Sequence, residues 1–229
     1  MTPNQITVLR VLAALAAVAL FGRGASANLA AVALTVAAIV LDAVDGWVAR
    51  RKNLSTPLGA QFDILGDRVV ENLYFTYFAV CGLIPVWVPV LFFVRGAATD
   101  FVRGIAAREG RTGFGRNSML DTRWGRALVA SRASRAAYGA IKCVCFCAVG
   151  LQLTVSSSGA AVVSHLGATL PLMIAIVAQA LVWLTVAFCV VRGLPVLWEG
   201  RRHLEAMGKP AATKNAPRRA MPLPRRSAA

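Results

Sequence analysis

Residues 42–50 read Asp42-Ala-Val-Asp45-Gly46-Trp-Val-Ala49-Arg50, and residues 59–67 read Gly59-Ala-Gln-Phe-Asp63-Ile-Leu-Gly-Asp67. On an α-helix with 3.6 residues per turn, Asp42, Asp45 and Ala49 share one face. The second stretch places Gly59, Asp63 and Asp67 on one face of the next helix in the same way. Two facing helices of this kind are predicted to gather four carboxylates around one point.

Carboxylates this close repel one another and resist ionisation unless cations lie between them. Hard divalent ions such as Mg²⁺ or Mn²⁺ prefer oxygen ligands and fit such a cluster. The small residues Gly46, Ala49 and Gly59 leave room beside the acids for a ligand to approach the backbone. The pattern predicts a two-metal phosphoryl-transfer site.

The alternative is that the four acids form ordinary ion pairs at a helix end, with partners among Arg50, Arg51, Lys52 and Arg68. Acidic residues inside membrane segments are costly and mark function by default. Four of them at two helical spacings, with small residues between, favour the metal site.

The spacing Asp-x2-Asp-Gly-x2-Ala-Arg-x8-Gly-x3-Asp-x3-Asp resembles the signature of the CDP-alcohol phosphotransferase family. The opening residues, Pro3-Asn4-Gln-Ile-Thr7-Val-Leu-Arg10, also resemble the start common in its members. The resemblance implies a cytidine-diphosphate donor, CDP-diacylglycerol, and transfer of its phosphatidyl group to an alcohol with release of CMP.

The resemblance also implies roles for the signature residues. Asp42, Asp45, Asp63 and Asp67 would be the metal ligands, and Asp67 would also be the general base. The CDP moiety would lie along Gly46, Ala49 and Gly59, with Arg50 holding a phosphate through paired hydrogen bonds.

The composition is that of an integral membrane protein. Hydrophobic residues make up 57% of the 229-residue chain, charged residues only 15%, and the mean hydropathy is +0.62. A net charge of +15 in a soluble protein would suggest a nucleic-acid partner. Here the basic residues lie in loops and at the tail, which fits anionic lipid headgroups better.

Six apolar segments have about the length needed to cross a bilayer, so we expect an all-α membrane protein. We place them near residues 5–22, 27–49, 59–81, 85–107, 132–155 and 168–192. Residues 1–199 would form one membrane domain, and the Pro-, Ala- and Arg-rich residues 200–229 a basic disordered tail.

Loop charges predict the orientation. Residues 50–57, 108–131 and the tail are rich in Arg and Lys, whereas the loops near 82–85 and 156–167 carry none. Because basic loops mark the cytoplasmic side, both termini and the acidic residues are predicted at the cytoplasmic leaflet of a bacterial inner membrane. The resemblance adds a possible homodimer.

The acceptor alcohol is less defined. The basic residues Arg103, Arg132, Arg135 and Lys142 are candidates for holding a phosphorylated acceptor, and Arg95 is a further one; the alternative is that they anchor the helices at the cytoplasmic face. The passage from Arg95 to Gly110 resembles phosphatidylglycerophosphate synthases, which favours glycerol 3-phosphate. Those enzymes usually carry Lys where this chain has Arg68, so inositol phosphate stays open.

Two other function classes remain. A divalent-cation transporter would also cluster acids in the membrane, but with acids near the midplane and inverted repeats. Here the acids lie at one end of their helices beside a basic loop. The last alternative is a lipid-binding relative without catalysis, against which the intact signature argues.

Overall fold

The computed structural model describes residues 3–51, 57–108, 110–111, 118–158, 167 and 169–208. Six long helices lie in these residues: α1 (Pro3–Leu20), α2 (Ala25–Arg51), α3 (Pro57–Val80), α4 (Trp87–Arg108), α6 (Arg132–Ser156) and α7 (Thr169–Gly208). A short α5 (Arg123–Gly125) continues into a π-helical turn, Arg126–Ala130, ahead of α6. The predicted all-α fold is confirmed for the described residues.

Local sequence signals set several of these ends. Gly22, just after α1, has a φ of +80°, a left-handed conformation that glycine adopts without strain. Its N–H donates to the Asn28 side chain on α2 at 2.7 Å, which fixes the turn between the two helices. Ser131 caps α6, because its hydroxyl accepts from the Ser134 N–H.

The six long helices form a ring in which each packs against two neighbours, in the order α1, α2, α6, α7, α4, α3 and back to α1. Chain neighbours α1 and α2 pack together, as do α3 and α4. The ring closes because α6 packs on α2 and α7 packs on α4. As a result, α1 contacts both helices that carry the predicted acidic residues.

Aromatic side chains fill the middle of the ring. Phe75 of α3 packs on Phe92 of α4 at a ring-centroid distance of 4.3 Å, and Tyr74 stacks on Phe146 of α6 at 4.8 Å. The Tyr74 hydroxyl also shares a 2.8 Å hydrogen bond with Thr35 of α2. These contacts tie three sides of the ring together around one core.

The outer surface is strongly apolar. Large hydrophobic side chains such as Val80, Phe93, Phe101 and Met173 are more than half exposed. A soluble monomer rarely leaves so much apolar surface in water, whereas lipid tails accept it. The outer face therefore fits a bilayer.

Three helices contain segments long and apolar enough to cross a membrane: Ala25–Asp42, Ala133–Ser156 and Thr169–Arg202. In α1 the apolar segment is shorter, Asn4–Leu20. Charged residues interrupt α3 and α4, including Asp67 and Glu71 on α3 and Asp100 on α4. Six spans thus remain a prediction, and three are supported by length and hydropathy.

The last helix corrects one expected boundary. Its predicted end was residue 192, with a disordered tail from residue 200, but α7 continues to Gly208. Pro195 lies inside α7. Proline has no backbone N–H, so it donates no helical hydrogen bond at this position, yet the helix continues to Gly208. Glu199 accepts hydrogen bonds from residues just before α5, and Val196 packs in a buried apolar cluster, and these tertiary contacts hold the extension. Residues 209–229 lie outside the described part of the structure.

Candidate active site

Three predicted acidic residues converge. Asp42 of α2 and Asp63 and Asp67 of α3 each present a carboxylate oxygen within 4.8 Å of the other two. We call these three residues the acidic cluster. Their side chains are 49%, 47% and 52% exposed, so the cluster is open to solution on one side.

A buried arginine from α1 closes the other side of the acidic cluster. Arg10 Nη1 pairs with Asp42 and lies 3.1 Å from Asp67 Oδ1, and Nη2 lies 3.4 Å from Asp63 Oδ1. Only 4% of the Arg10 side chain is exposed. One guanidinium thus contacts all three carboxylates from inside the ring.

Gly66 makes this approach possible. A Cβ atom at position 66 would lie 2.8 Å from Arg10 Nη2 and 2.8 Å from Thr7 Cγ2. Since real Cβ atoms do not come so close, a larger residue here would displace the Arg10 or Thr7 side chain, and glycine lets both lie against α3. The acidic cluster therefore depends on a small residue between Asp63 and Asp67.

The remaining signature residues are placed by backbone alone. Asp45, Gly46, Ala49 and Arg50 lie in α2, and their side chains fall outside the described part of the structure. Gly59 is described: it lies in α3, half-buried, one turn before Asp63. The predicted fourth acid and the predicted CDP contacts therefore stay predictions.

A cavity leads from the acidic cluster into the ring. Its charged lining is Arg10, Asp42, Asp67, Glu71 and Lys142, and its other lining residues include Thr35, Ile39, Val70, Tyr74 and Phe146. The lining therefore includes both ionic and apolar side chains. Such a cavity suits a ligand that has both a charged part and an apolar part.

Glu71 forms the inner end of this charged lining. It is 2% exposed, and its Oε2 lies 3.1 Å from Lys142 Nζ and 3.5 Å from Arg68 Nη1. Tyr138 donates to Glu71 Oε1 at 3.4 Å. From the sequence, Glu71 is expected either to extend the site or, preferably, to pair with Arg68 or another arginine; the Arg68 pair is present, and Glu71 also contacts Lys142 of the basic residues beyond it.

Beyond Glu71 lies a region with five cationic side chains and two carboxylates, those of Glu71 and Asp100. We call the five cations the basic cluster: Arg68, Arg95, Arg103, Lys142 and Arg192. Arg68 pairs with Asp100 at 3.0 Å and Arg103 pairs with it at 3.3 Å. The excess of positive charge in a half-buried setting makes this region attractive to an anion.

Three cations of the basic cluster surround Tyr138. The Arg95 and Arg192 guanidinium carbons lie 6.0 and 5.4 Å from its ring centroid, and Lys142 Nζ lies 4.7 Å away. Arg192 is occupied, since it donates to the Leu128 and Val129 carbonyls at the end of the π-helical turn. Arg95 is 9% exposed, and its Nε has no hydrogen-bond partner among the described residues.

Two of the four predicted acceptor residues lie in the basic cluster. Arg103 and Lys142 belong to the basic cluster. Arg135 is exposed and lies on α6 seven residues, about two helical turns, before the cavity-lining Lys142, and its convergence with Lys142 stays a prediction. The side chain of Arg132 falls outside the described part.

No role was predicted from the sequence for Arg10 or Arg192. Arg10 contacts the acidic cluster, and Arg192 belongs to the basic cluster and donates to backbone carbonyls just ahead of α6. Each is an arginine inside an otherwise apolar helix. A charge in that position is costly and so signals a partner. The partners of these arginines could not be predicted because the sequence does not show which helices pack together.

The donor set of the acidic cluster fits a divalent metal. Its ligand atoms are all carboxylate oxygens, they come from two rigid helices, and they are close enough to share an ion. Half of each side chain is accessible, so an ion can reach them from solution. Among the described side chains their cationic partner is Arg10, whereas Arg68 pairs with Asp100 and Glu71.

Comparison with known proteins agrees with this geometry. A family model described as CDP-alcohol phosphatidyltransferase matches residues 1–198, which include both helices of the acidic cluster and the whole basic cluster. No curated protein matches the chain in a sequence comparison.

Proposed function

Because the chain belongs to the CDP-alcohol phosphatidyltransferase family, and is therefore a membrane-associated phosphotransferase, we propose that it makes a phospholipid from CDP-diacylglycerol and a phosphorylated alcohol, releasing CMP. The proposed acceptor is glycerol 3-phosphate. Inositol phosphate is the alternative acceptor for the same chemistry.

The observation that carries this proposal is the convergence of Asp42, Asp63 and Asp67 beside a cavity that has both charged and apolar lining residues. A lipid-linked diphosphate needs both kinds of surface. Its phosphates need cationic partners, and its diacylglycerol part needs a path to lipid.

The proposed metal ions are Mg²⁺ or Mn²⁺, two in number, held by Asp42, Asp45, Asp63 and Asp67. When bound, they would neutralise charge on the donor phosphates and on the leaving CMP. Gly46, Ala49 and Gly59 would leave room for the nucleotide, and Arg50 would hold a phosphate.

Asp67 is the proposed general base. In the reaction the acceptor hydroxyl oxygen bonds to the lipid-bearing phosphorus, the bond from that phosphorus to the CMP phosphate oxygen breaks, and the hydroxyl proton passes to Asp67. Asp67 is the member of the acidic cluster that lines the same cavity as Glu71 one turn further along α3, which would put its carboxylate beside an acceptor bound there. Position, more than basicity, supports this role.

The basic cluster supports an anionic acceptor. Arg95 is buried, and its Nε has no hydrogen-bond partner among the described residues. A phosphate placed beside Tyr138 would give this guanidinium a partner and would be near Arg103 and Lys142. Free inositol carries no charge, and serine offers a single carboxylate in place of a phosphate dianion.

We place the enzyme in the bacterial inner membrane with six spans, both termini cytoplasmic and the acidic cluster facing the cytoplasmic leaflet. The basic loops on the same side as Arg51 and Arg108 support this orientation. A homodimer is part of the proposal by family resemblance.

The test is CMP release by purified full-length protein in lipid nanodiscs containing CDP-diacylglycerol and Mg²⁺. Glycerol 3-phosphate, inositol 1-phosphate, serine and free inositol are offered in turn, and the lipid product is identified by mass. We expect release with a phosphorylated acceptor, and a loss of about 10²- to 10⁴-fold in Asp67→Asn. Asp121→Asn, an exposed acid outside the site, is the control.

Release with a neutral acceptor only would refute the acceptor proposal. Movement of divalent ions across the bilayer with no CMP release would favour the transporter. No turnover with any acceptor, in protein that binds CDP-diacylglycerol, would favour the non-catalytic relative.

A further inference from the structure

We infer that Arg10 is a positioning residue that holds the acidic cluster together as a built-in cation and competes with the divalent ion for the same carboxylates. The inference rests on the proposed function, because it concerns the proposed metal ligands. It assigns a role to α1, which contributes none of the predicted site residues.

The geometry places Arg10 and the open face on opposite sides of the acidic cluster. The guanidinium reaches all three acids from the ring interior, where its side chain is 4% exposed. About half of each carboxylate remains exposed toward solution. A divalent ion would thus approach from the face opposite the arginine.

Each partner compensates the charge of the other. An arginine stays ionised in proteins, so a buried guanidinium requires acceptors, and Asp42, Asp67 and Asp63 supply them. The carboxylates in turn would repel one another without a cation. Arg10 contacts both α2 and α3, so it keeps acids from two helices in one place when no metal is bound.

The same contacts oppose metal binding. A divalent ion gains most when carboxylate oxygens turn fully toward it, and oxygens engaged by Arg10 are less available. A second positive charge beside the ion adds repulsion. Loss of Arg10 should therefore destabilise the metal-free protein and, at the same time, tighten the binding of a divalent ion.

Gly66 offers an independent way to disturb this contact without removing the charge. In Gly66→Ala the new methyl group would lie 2.8 Å from Arg10 Nη2 and would push the guanidinium away. Gly104, on α4, is the matched control, since a Cβ there meets nothing within 4 Å. Both changes replace one helical glycine by alanine.

The experiment uses full-length protein in nanodiscs, with Mn²⁺ alone as the probe. Mn²⁺ binding is followed by electron paramagnetic resonance, and thermal unfolding is recorded with and without Mn²⁺. In Arg10→Gln we expect a lower melting temperature without metal, a Mn²⁺ dissociation constant about tenfold lower than that of the wild type, and a smaller gap in melting temperature at saturating Mn²⁺.

Arg10→Lys should fall between wild type and Arg10→Gln, because an ammonium keeps the charge but cannot bridge three acids. Gly66→Ala should shift both quantities in the direction of Arg10→Gln, and Gly104→Ala should shift neither.

An unchanged or higher Mn²⁺ dissociation constant in Arg10→Gln would overturn the inference, even if the protein were less stable, because a purely structural arginine would act in that way. If wild type and all variants failed to bind Mn²⁺, the proposed metal site would fail and the inference with it. Binding by wild type with no difference in the variants would refute the role of Arg10 alone.

Discussion

Lys142 on α6 lies 3.1 Å from the Glu71 carboxylate on α3, across the interior of the ring. The two helices do not follow one another in the ring order, so this ion pair bridges elements that the packing alone leaves apart. Both side chains line the cavity that begins at Asp67. The pair therefore connects α3 to α6 across the ring, beside the cavity.

Replacing Lys142 by Met should destabilise the fold by about 3 kcal/mol, because Glu71 would lose its closest partner while staying buried. The measurement is the free energy of unfolding in detergent, followed by circular dichroism. The double variant Glu71→Met with Lys142→Met is the control, since removing both charges avoids a lone buried carboxylate. A single variant as stable as wild type would contradict the importance of this pair.

Arg95→Gln should raise the KM for a phosphorylated acceptor by about tenfold and leave the KM for CDP-diacylglycerol unchanged. The reason is that Arg95 is buried beside Tyr138 and its Nε is one of several arginine Nε atoms without a hydrogen-bond partner among the described residues. Steady-state kinetics with each substrate varied in turn measures both constants. Arg201→Gln is the control, because Arg201 is exposed and stacks on Trp198 at 4.3 Å, away from the cavity.

A rise in the KM for CDP-diacylglycerol with no change in the KM for the acceptor would mean that Arg95 binds the donor and not the acceptor. Loss of kcat alone would mean that the guanidinium acts on the transition state instead of on acceptor binding.

The periodicity of the acids was enough to predict the core of the site. Asp63 and Asp67 are one helical turn apart, so any helix places them together, and Asp42 joins them because α2 and α3 both pack against α1. The helix bounds were also predictable to within a few residues up to α6. These features depend on local geometry, which the sequence contains directly.

Features that depend on tertiary contacts were not predictable in the same way. Arg10 is 32 residues before Asp42, and its position requires α1 to lie against both α2 and α3. The extension of α7 past residue 192 requires Glu199 to find partners in the segment before α6. Neither partner set leaves a periodic signal in the sequence.

Glu199→Gln should loosen the segment that precedes α6. The Glu199 carboxylate accepts from the backbone N–H groups of Asp121 and Thr122 at 2.6 and 3.2 Å, and it also contacts the Thr122 hydroxyl. Loss of the negative charge weakens these bonds, so we expect amide exchange in residues 118–125 to become about tenfold faster.

Hydrogen–deuterium exchange with mass spectrometry measures this rate. Glu205→Gln, an exposed acid further along α7, is the control and should leave the segment unchanged. Unchanged exchange in Glu199→Gln would mean that the core contacts of Met119 and Leu120 hold the segment without the carboxylate.

Gly150→Ala tests the close approach of α6 to α2 and to Phe21, which directly follows α1. A Cβ at position 150 would lie 2.9 Å from Val32 Cγ2 and 3.0 Å from Phe21 Cζ. Small residues let membrane helices approach closely, and an added methyl group here must push a packed neighbour aside. We therefore expect a loss of about 1–3 kcal/mol in the free energy of unfolding.

Gly139→Ala, on the same helix, is the matched control, because a Cβ there meets nothing within 4 Å. Alanine has the higher helix propensity, so this change should be neutral or stabilising by up to about 1 kcal/mol. Opposite signs at the two glycines would show that contact with Val32 and Phe21, and not helix propensity, decides the result. Equal destabilisation at both would show that α6 does not pack against Val32 and Phe21 as closely as described.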